Sequence, residues 1–338
     1  MKEMFRLIYN LPEQIQDAYN IVQKYKFSSK LLFQPANIVI SGMGGSGIGG
    51  EIIKSLFLDS LDIPIIISKD YTLPAYIQKQ SLVFVVSYSG NTEETIESFN
   101  LALKRRCRIV AITSGGKLLE LCKKYKIDCI QIPTGLPPRS AIGYLFFSQL
   151  ITLAKIGVIK NMTKDIKETI DTLLTNRRKY NVQARIFTQQ LLNTLPIIYA
   201  TSSLFTPVAL RWQAQFNENG KIFCHSNVFP ELNHNEIVGI TGLKNASQPY
   251  YFLVLIDNKA HPRNLLRVDL TLRIIKSNVT NVKSKKFYAD GKSDLARIFS
   301  LIMQGDLISF YLAYLRNIDP MPVLAIDELK RMLATKSK

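Results

Sequence analysis

The most constraining feature of this sequence is a regular alternation of short apolar runs with helical stretches in its first part. The runs are rich in valine and isoleucine and predict strands at 37–41, 63–68, 82–87, 108–113 and 128–133, separated by helices at 48–57, 92–104 and 117–126. Continuous apolar strands that alternate with helices form parallel sheets covered on both faces. The sequence therefore predicts an open, doubly wound α/β domain of three layers, of the flavodoxin-like kind, with ligands at the carboxyl ends of its strands.

A second series of apolar and helical stretches follows the first. Residues 142–192 predict helices, and they lead to strands at 195–201, 236–241, 250–256 and 278–282 with helices at 207–217, 264–275 and 293–315. A helix at 11–26 precedes the whole pattern and a short helix at 326–333 follows it. Because 338 residues suffice for two domains with separate cores, we expect one domain at 1–155 and a second, also doubly wound, at 156–338.

The chain carries a formal net charge of +17, which suits nucleic acid, an anionic membrane or an anionic small substrate. Its lysines and arginines are scattered in short clusters such as 104–106 and 283–286, and no nucleic-acid-binding module accompanies them. The aromatic residues are not spaced for base stacking. We therefore expect a solvated basic surface that steers anions, and no nucleic-acid partner.

The best candidate for a membrane span, 142–159, is interrupted by polar side chains. Ser148, Gln149, Thr152 and Lys155 break the apolar run, which favours a buried helix. The four cysteines show neither a CxxC pair nor the spacing of a disulfide framework, as is typical of a reducing compartment. The sequence predicts a cytoplasmic protein without a membrane partner.

Loops rich in glycine and hydroxyl groups follow two of the predicted strands. One runs from Ser41 to Gly47 and the other from Ser87 to Thr92, and each leads into a predicted helix. Backbone N–H groups at a helix N-terminus and hydroxyl side chains favour a bound anion, and glycine lets the backbone approach it closely. Two such loops indicate a phosphorylated ligand, with Ser89 and its neighbours around a terminal phosphate. The alternative is that both loops are tight turns capped by serine and threonine.

The first loop also fits a dinucleotide-binding fingerprint. Gly42, Gly44 and Gly47 have the glycine spacing, and Asp70 follows the next strand, where an acid contacts the ribose. A nicotinamide-dependent oxidoreductase is therefore a further alternative. The second loop argues against it, because a dinucleotide site holds its pyrophosphate on the first loop.

An arginine follows the fifth strand, at the same edge of the predicted sheet as both loops. Pro137 and Pro138 stiffen the chain immediately before Arg139. A guanidinium held there can stabilise a developing oxyanion or bind phosphate. The alternative is an ordinary surface arginine in a loop.

Glu218 and His234 form the most specific pair of candidate catalytic residues. Glu218 ends a predicted helix, with Gly220 as its expected C-cap, and an acid at a helix C-terminus is unfavourable for the helix dipole. His234 lies in a polar segment between apolar ones, and the chain has three histidines. The alternative for His234 is a structural or solvated histidine.

A metal site is the other chemistry that this region allows. His225, Glu231, His234 and Glu236 are potential ligands. Their spacing matches neither a helical nor a zinc-loop signature, so we expect no metal.

Taken in order, these motifs resemble the bifunctional phosphoglucose/phosphomannose isomerases, a branch of the phosphoglucose isomerase superfamily built from sugar-isomerase (SIS) domains. The resemblance covers nearly the whole chain. It is carried by the two loops, Pro137–Ala141, Phe216–Asn219, Pro230–Glu236 and the terminal Asp319–Val323.

The resemblance implies a role for each candidate residue. Substrate binding is implied for the first and second loops, with the 6-phosphate held by Gly45, Ser46, Ser87, Ser89 and Thr92. The resemblance implies that Glu218 is the base that moves a proton between C1 and C2 through a cis-enediol. It implies that Arg139 stabilises the enediolate oxygen, and that His234, together with Lys330, assists ring opening. In such enzymes the histidine comes from the partner subunit, which implies a homodimer.

The implied reaction interconverts glucose 6-phosphate or mannose 6-phosphate with fructose 6-phosphate, and it requires neither a redox cofactor nor a metal. Two alternatives are a non-catalytic SIS module that binds a sugar phosphate and an SIS isomerase acting on amino-sugar phosphates. Met321 stands where the family often has threonine, which puts the balance between the two epimers in question. Lys336 and Lys338 lie close to Lys330 in the sequence and are alternatives to it.

Overall fold

The strands form two parallel sheets in the computed structural model, which describes residues 1–245 and 249–336. The first sheet contains β1 (Asn37–Ser41), β2 (Ile65–Ser68), β3 (Ser81–Val86), β4 (Arg108–Thr113) and β5 (Asp128–Gln131). The second contains β6 (Leu195–Ala200), β7 (His225–Val228), β8 (Tyr250–Ile256) and β9 (Val282–Tyr288).

Helices precede, separate and follow these strands. In chain order they are α1 (Lys2–Tyr9), α2 (Leu11–Lys24), α3 (Gly44–Leu56), α4 (Glu93–Lys104), α5 (Gly116–Tyr125), α6 (Ile142–Lys155), α7 (Thr163–Thr188), α8 (Thr206–Glu218), α9 (Glu236–Thr241), α10 (Pro262–Asn278), α11 (Asp294–Leu315) and α12 (Leu324–Lys336). Short 3-10 helices lie between several of them, among them Pro138–Ser140 and Glu231–His234.

The strand order of the first sheet is β2-β1-β3-β4-β5, and that of the second is β7-β6-β8-β9. Every pairing is parallel, and β3 is buried along its whole length. The predicted fold class, two doubly wound α/β units of three layers, is confirmed. In such a sheet the order reverses between the first and third strands, and ligands bind in the crevice at that point. Both glycine loops start there, since Ser41 at the end of β1 is in register with Val85 of β3.

Two strands predicted in the second half are wrong. Residues 236–241 form helix α9, whose first N–H, that of Glu236, is capped by the Asn235 side chain at 2.5 Å. Residues 278–282 mostly fall outside strands, because α10 continues to Asn278 and β9 begins at Val282. The lysine cluster at 283–286 lies within β9, which is an edge strand and therefore tolerates charged side chains. These lysines interrupt the apolar run by which the strand would have been recognised in the sequence.

Two elements were not expected at all. Helix α1 precedes the predicted N-terminal helix, and β7 is a short strand without an apolar run. The remaining predicted strands and helices occur with shifts of a few residues at their ends.

The apolar helices are packed inside the protein. Helix α6, which lies in the interrupted run at 142–159, is largely buried, as predicted. Among the described residues α11 is long and apolar enough to cross a bilayer, yet 89% of its apolar window is buried within the protein. A core helix gives the same signal, so α11 is weak support for a membrane span.

The two sheets share part of their apolar core. One buried cluster includes Ile38 of β1 and Leu253 of β8, and α2 packs against both α6 and α7. The division into domains at 155/156 therefore stays a prediction.

Candidate active site

The first glycine loop turns directly into α3 and packs against the loop of Arg139. Gly44 has a φ of +50°, which glycine adopts at little cost. A Cβ atom on Gly45 would lie 2.8 Å from the backbone nitrogen of Arg139. The close approach of these two backbones therefore requires a glycine at position 45.

Hydrogen bonds join the two loops and order their hydroxyl groups. The backbone N–H of Tyr88 donates to Ser46 Oγ at 3.1 Å, which links the second loop to the first. Within the second loop, Ser87 Oγ lies 3.0 Å from Thr92 Oγ1 and accepts the N–H of Gly90 at 3.1 Å. The structure thus brings the side chains of Ser46, Ser87 and Thr92 to the same crevice between β1 and β3.

Several hydroxyl protons of this crevice have no acceptor within residues 1–245 and 249–336. Ser46 Oγ and Ser89 Oγ each accept a backbone N–H, the latter from Asn91 at 3.3 Å, but neither donates. Of the two hydroxyl protons of Ser87 and Thr92, only one can lie between the two oxygens, so the other also has no acceptor. Together with the first N–H groups of α3 and α4, these protons make a cluster of uncharged donors that suits an anion.

The Arg139 side chain is buried and almost fully hydrogen-bonded. Its Nε donates to Asn219 Oδ1 at 2.7 Å. Its Nη2 donates to the carbonyl oxygens of Pro320 at 2.6 Å and Met321 at 3.0 Å. Only Nη1 remains, and it lies 3.5 Å from Glu218 Oε2. The guanidinium therefore presents one nitrogen toward the carboxylate.

Glu218 is the last residue of α8, and the structure places it beside Arg139. Its side chain is 26% exposed, whereas that of Arg139 is 4% exposed. Burial lowers the pKa of the Arg139 guanidinium, and the Glu218 carboxylate acts in the opposite direction. Gly220 was expected as the C-cap of α8, but the C-cap is Asn219, and the nearby residue with a positive φ is Lys221, at 51°.

Lys221 and Asn219 are site residues that the sequence did not assign a role. Lys221 Nζ donates to the carbonyl oxygen of Glu218 and, at 2.7 Å, to that of Pro322. The pKa of Lys221 is lowered, mainly by burial and also by repulsion from the Arg139 charge. The nearby carboxylates of Glu218 and Asp319 raise this pKa, but they do not outweigh the other two effects. No spacing or motif singled out Lys221, and Asn219 was only one member of the Phe216–Asn219 motif.

No hydrogen bond or ion pair joins His234 or Lys330 to Glu218 in the described part of one chain. His234 ends a 3-10 helix at an exposed position, and Lys330 is exposed on α12. Neither side chain makes a hydrogen bond or ion pair with the described part of its own chain. The alternatives to Lys330, which are Lys336 and Lys338, lie outside the described side chains.

Two of the four residues considered as metal ligands, His225 and Glu236, belong to a hydrogen-bonded cluster around the Glu236 carboxylate, whereas Glu231 accepts the side-chain amide of Asn235 at 2.9 Å. The Glu236 carboxylate accepts the hydroxyl of Tyr199 at 2.5 Å and the amide of Asn227 at 2.5 Å, and it lies 3.0 Å from His225 Nε2. Burial raises the pKa of Glu236, but the three hydrogen bonds outweigh it and the pKa is lowered. Across 1–245 and 249–336 no group of three or more histidine, cysteine or acidic side chains is arranged to hold a metal.

Asp70, the acid of the dinucleotide alternative, follows β2 in an exposed position. Its carboxylate accepts the N–H of the next residue, Tyr71, at 2.6 Å. Local capping accounts for this contact without a ribose.

Comparison with known proteins gives consistent matches along the chain. A family model described as a bacterial phospho-glucose isomerase C-terminal SIS domain matches residues 181–333, and an SIS domain model matches residues 31–129. A bifunctional phosphoglucose/phosphomannose isomerase of Caldicellulosiruptor bescii is 44% identical over 98% of this chain and 99% of its own length. One of Thermoplasma acidophilum is 38% identical over 88% of this chain and 90% of its own.

A solved structure of similar shape is the C-terminal domain of glucosamine-fructose-6-phosphate aminotransferase from Francisella tularensis. It superposes with a TM-score of 0.73 at 15% identity and covers 94% of this chain and 97% of the other. At that identity the likeness concerns the fold alone, which is the pair of SIS domains.

Proposed function

The chain belongs to the family of bifunctional phosphoglucose/phosphomannose isomerases, and from this premise we propose that it interconverts glucose 6-phosphate and mannose 6-phosphate with fructose 6-phosphate. The enzyme class that follows is an isomerase. The single observation that carries the proposed mechanism is the pair formed by Arg139 Nη1 and Glu218 Oε2, 3.5 Å apart, beside the first anion-binding loop.

Glu218 is the proposed base for the proton transfer. Isomerisation of an aldose to a ketose moves a proton from C2 to C1 through a cis-enediol, and one carboxylate can carry it on one face of the sugar. As the enediolate forms, negative charge develops on the oxygen that was the carbonyl. Arg139 Nη1 is the proposed donor to that oxygen, in a buried position where such a bond is strong.

The 6-phosphate is proposed to bind in the crevice between the two loops. Ser46, Ser87, Ser89 and Thr92 supply hydroxyl donors without charge, and Gly45 supplies a backbone that the ligand can approach closely. The contact of Gly45 with the backbone of Arg139 ties this crevice to the catalytic pair, so one sugar phosphate can reach both.

His234 is proposed to reach the site from the partner subunit of a homodimer, with Lys330 of α12 assisting ring opening. Support comes from the exposure of both side chains and from α12 itself, on which Leu324 is 74% and Leu329 is 57% exposed. A short helix with exposed apolar side chains is marginal in water without a covering surface. A cytoplasmic location is also part of the proposal, supported by the four cysteines being free thiols.

The substrate assignment predicts turnover of both aldose phosphates in the presence of EDTA. Purified protein is assayed with glucose 6-phosphate and mannose 6-phosphate through fructose 6-phosphate formation, with glucosamine 6-phosphate as the comparison substrate. Equal rates with and without EDTA are expected, because no step needs a Lewis acid. Turnover of the amino sugar alone would support the alternative SIS isomerase, and NAD(P)H binding without turnover would support the oxidoreductase.

A Met321→Thr variant in the same panel measures the effect of that position on the ratio of the two epimers.

Mixing two inactive variants tests the shared site. In a hybrid of Glu218→Gln and His234→Ala subunits, one of the two sites keeps an intact glutamate and receives an intact histidine from the partner. After equal mixing, unfolding and refolding together, random assortment should restore about a quarter of the wild-type activity. Each variant refolded alone is the control. Recovery no greater than the sum of the two controls would contradict a histidine donated across the interface.

A further inference from the structure

A closed ring of hydrogen bonds surrounds the candidate oxyanion arginine. Arg139 Nε donates to Asn219 Oδ1 at 2.7 Å, and Asn219 Nδ2 donates to Ser309 Oγ at 3.0 Å. Ser309 Oγ donates to the carbonyl oxygen of Asp306 at 2.7 Å. The Asp306 carboxylate binds Arg211. Arg211 Nη2 also donates to the main-chain carbonyl oxygen of Arg139 at 2.9 Å, which closes the ring. The ring therefore holds both the main chain and the side chain of Arg139.

The charged part of this ring is a buried, two-point ion pair. Arg211 Nε and Nη2 donate to the two carboxylate oxygens of Asp306 at 3.1 and 2.6 Å. Both side chains are at most 5% exposed. A buried ion pair is weak support for stability, since its attraction is offset by the loss of hydration. Its contact with Arg139 suggests a different role.

Three separate parts of the fold meet in the ring. Arg139 follows the first sheet, Arg211 lies on α8 with Asn219 as the C-cap of that helix, and Asp306 and Ser309 lie on α11. Positions 306 and 309 are three residues apart, so Asp306 and Ser309 share one face of α11. Helix α8 also ends in Glu218. The ring thus couples the position of the guanidinium to the helix that carries the proposed base.

We propose that the Arg211–Asp306 pair is a positioning device for the isomerisation, which holds Arg139 so that its remaining donor, Nη1, meets the developing enediolate oxygen. The proposal rests on the role proposed above for Arg139. Arg211 and Asp306 touch neither substrate nor the reacting atoms, and they act through Arg139 and Asn219. A displacement of about 1 Å at a catalytic group can cost on the order of a hundredfold in rate, so loosening the ring affects the chemical step more than substrate affinity.

The test compares kcat and KM in Asp306→Asn and Ser309→Ala. Asp306→Asn keeps the shape but removes the charge that holds Arg211, and we expect kcat to fall about 10- to 100-fold with KM within about threefold. Ser309→Ala keeps both charges and opens the ring at its hydroxyl, and a fall in kcat of about three- to tenfold is expected. Ser309→Ala carries the test alone if Asp306→Asn does not fold, and an unchanged kcat in it overturns the proposal.

A double-mutant cycle with Arg139→Lys separates positioning from general damage. If the ring acts through Arg139, adding Asp306→Asn to Arg139→Lys changes kcat by less than about twofold, whereas independent effects multiply. If the effects of Asp306→Asn and Arg139→Lys on kcat multiply in the double variant, the positioning role is overturned. A wild-type kcat in Arg139→Lys itself would instead overturn the proposed function of Arg139, so the two failures are distinguishable.

The matched control is Asp257→Asn. Asp257 forms another buried ion pair, with Arg297, and also accepts the Ser202 hydroxyl at 2.8 Å, outside the ring. This variant is expected to unfold at lower urea concentration while kcat per folded molecule, normalised by circular dichroism, stays at the wild-type value. A fall in kcat equal to that of Asp306→Asn would mean that any buried ion pair matters alike, and would overturn the proposal.

Discussion

Glu218→Gln is expected to lower kcat by about a thousandfold, within the 10²–10⁴ range that general acid–base catalysis contributes. Glutamine keeps the size of the side chain but cannot take a proton from C2 of the sugar. Glu218 is the last residue of α8 and its side chain is partly exposed, so the variant should fold. Coupled assays measure kcat, and proton NMR in deuterium oxide measures exchange of the C2 hydrogen with solvent. Both rates should fall together.

A glutamate with a purely structural contact is the control for this variant. Glu168 on α7 accepts the backbone N–H groups of Lys292 at 2.6 Å and Ser293 at 3.2 Å, and no contact links it to Arg139 in the described structure. Glu168→Gln should reduce stability and leave kcat unchanged. Retention of full activity and C2 exchange by Glu218→Gln would remove Glu218 as the base.

Arg139→Met is expected to lower kcat by about 10²–10³-fold, the cost of removing one donor to a developing oxyanion. The variant should also be less stable. It leaves the carbonyl oxygens of Pro320 and Met321 and the amide oxygen of Asn219 without their donor, at about 1–3 kcal/mol for each one that water cannot reach. Steady-state kinetics and urea unfolding measure the two effects separately. Arg139→Lys should lie between wild type and Arg139→Met, because it keeps a charge but loses the planar fork.

Arg105 provides a control with a similar set of partners. It donates to the carbonyl oxygens of Leu73, Pro74 and Ile77, at the end of α4. Arg105→Met should lose stability through those carbonyls and keep the wild-type kcat. If Arg139→Met and Arg105→Met lose stability equally and neither loses activity, the guanidinium at position 139 is structural.

Much of the fold was readable from the sequence because strand runs carry local signals. The five strands of the first sheet were all predicted, since buried parallel strands are continuously apolar and are separated by helices. The signal fails where an element is partly exposed. The edge strand β9 contains Lys283, Lys285 and Lys286, and the six-residue helix α9 is apolar enough to read as a strand.

The placement of the anion loops also followed from local signals. Parallel strands present their carboxyl ends at one edge, so loops after β1 and β3 meet once the two strands are neighbours. The sequence suggested Arg139 and Glu218 one by one, each for its own reason. Their contact spans 79 positions, and no periodicity reports on it.

The sequence by itself therefore determined the α/β class and the two anion loops, because strand propensity, apolar periodicity and glycine turns act over a few neighbouring residues. Only the tertiary structure decided that Arg139 turns Nη1 toward Glu218 while Asn219, Pro320 and Met321 occupy the rest of its guanidinium. That orientation depends on contacts between residues up to 182 positions apart. Such contacts form only when the packed sheets and α11 bring their side chains together, and burial then requires every polar group among them to find a partner.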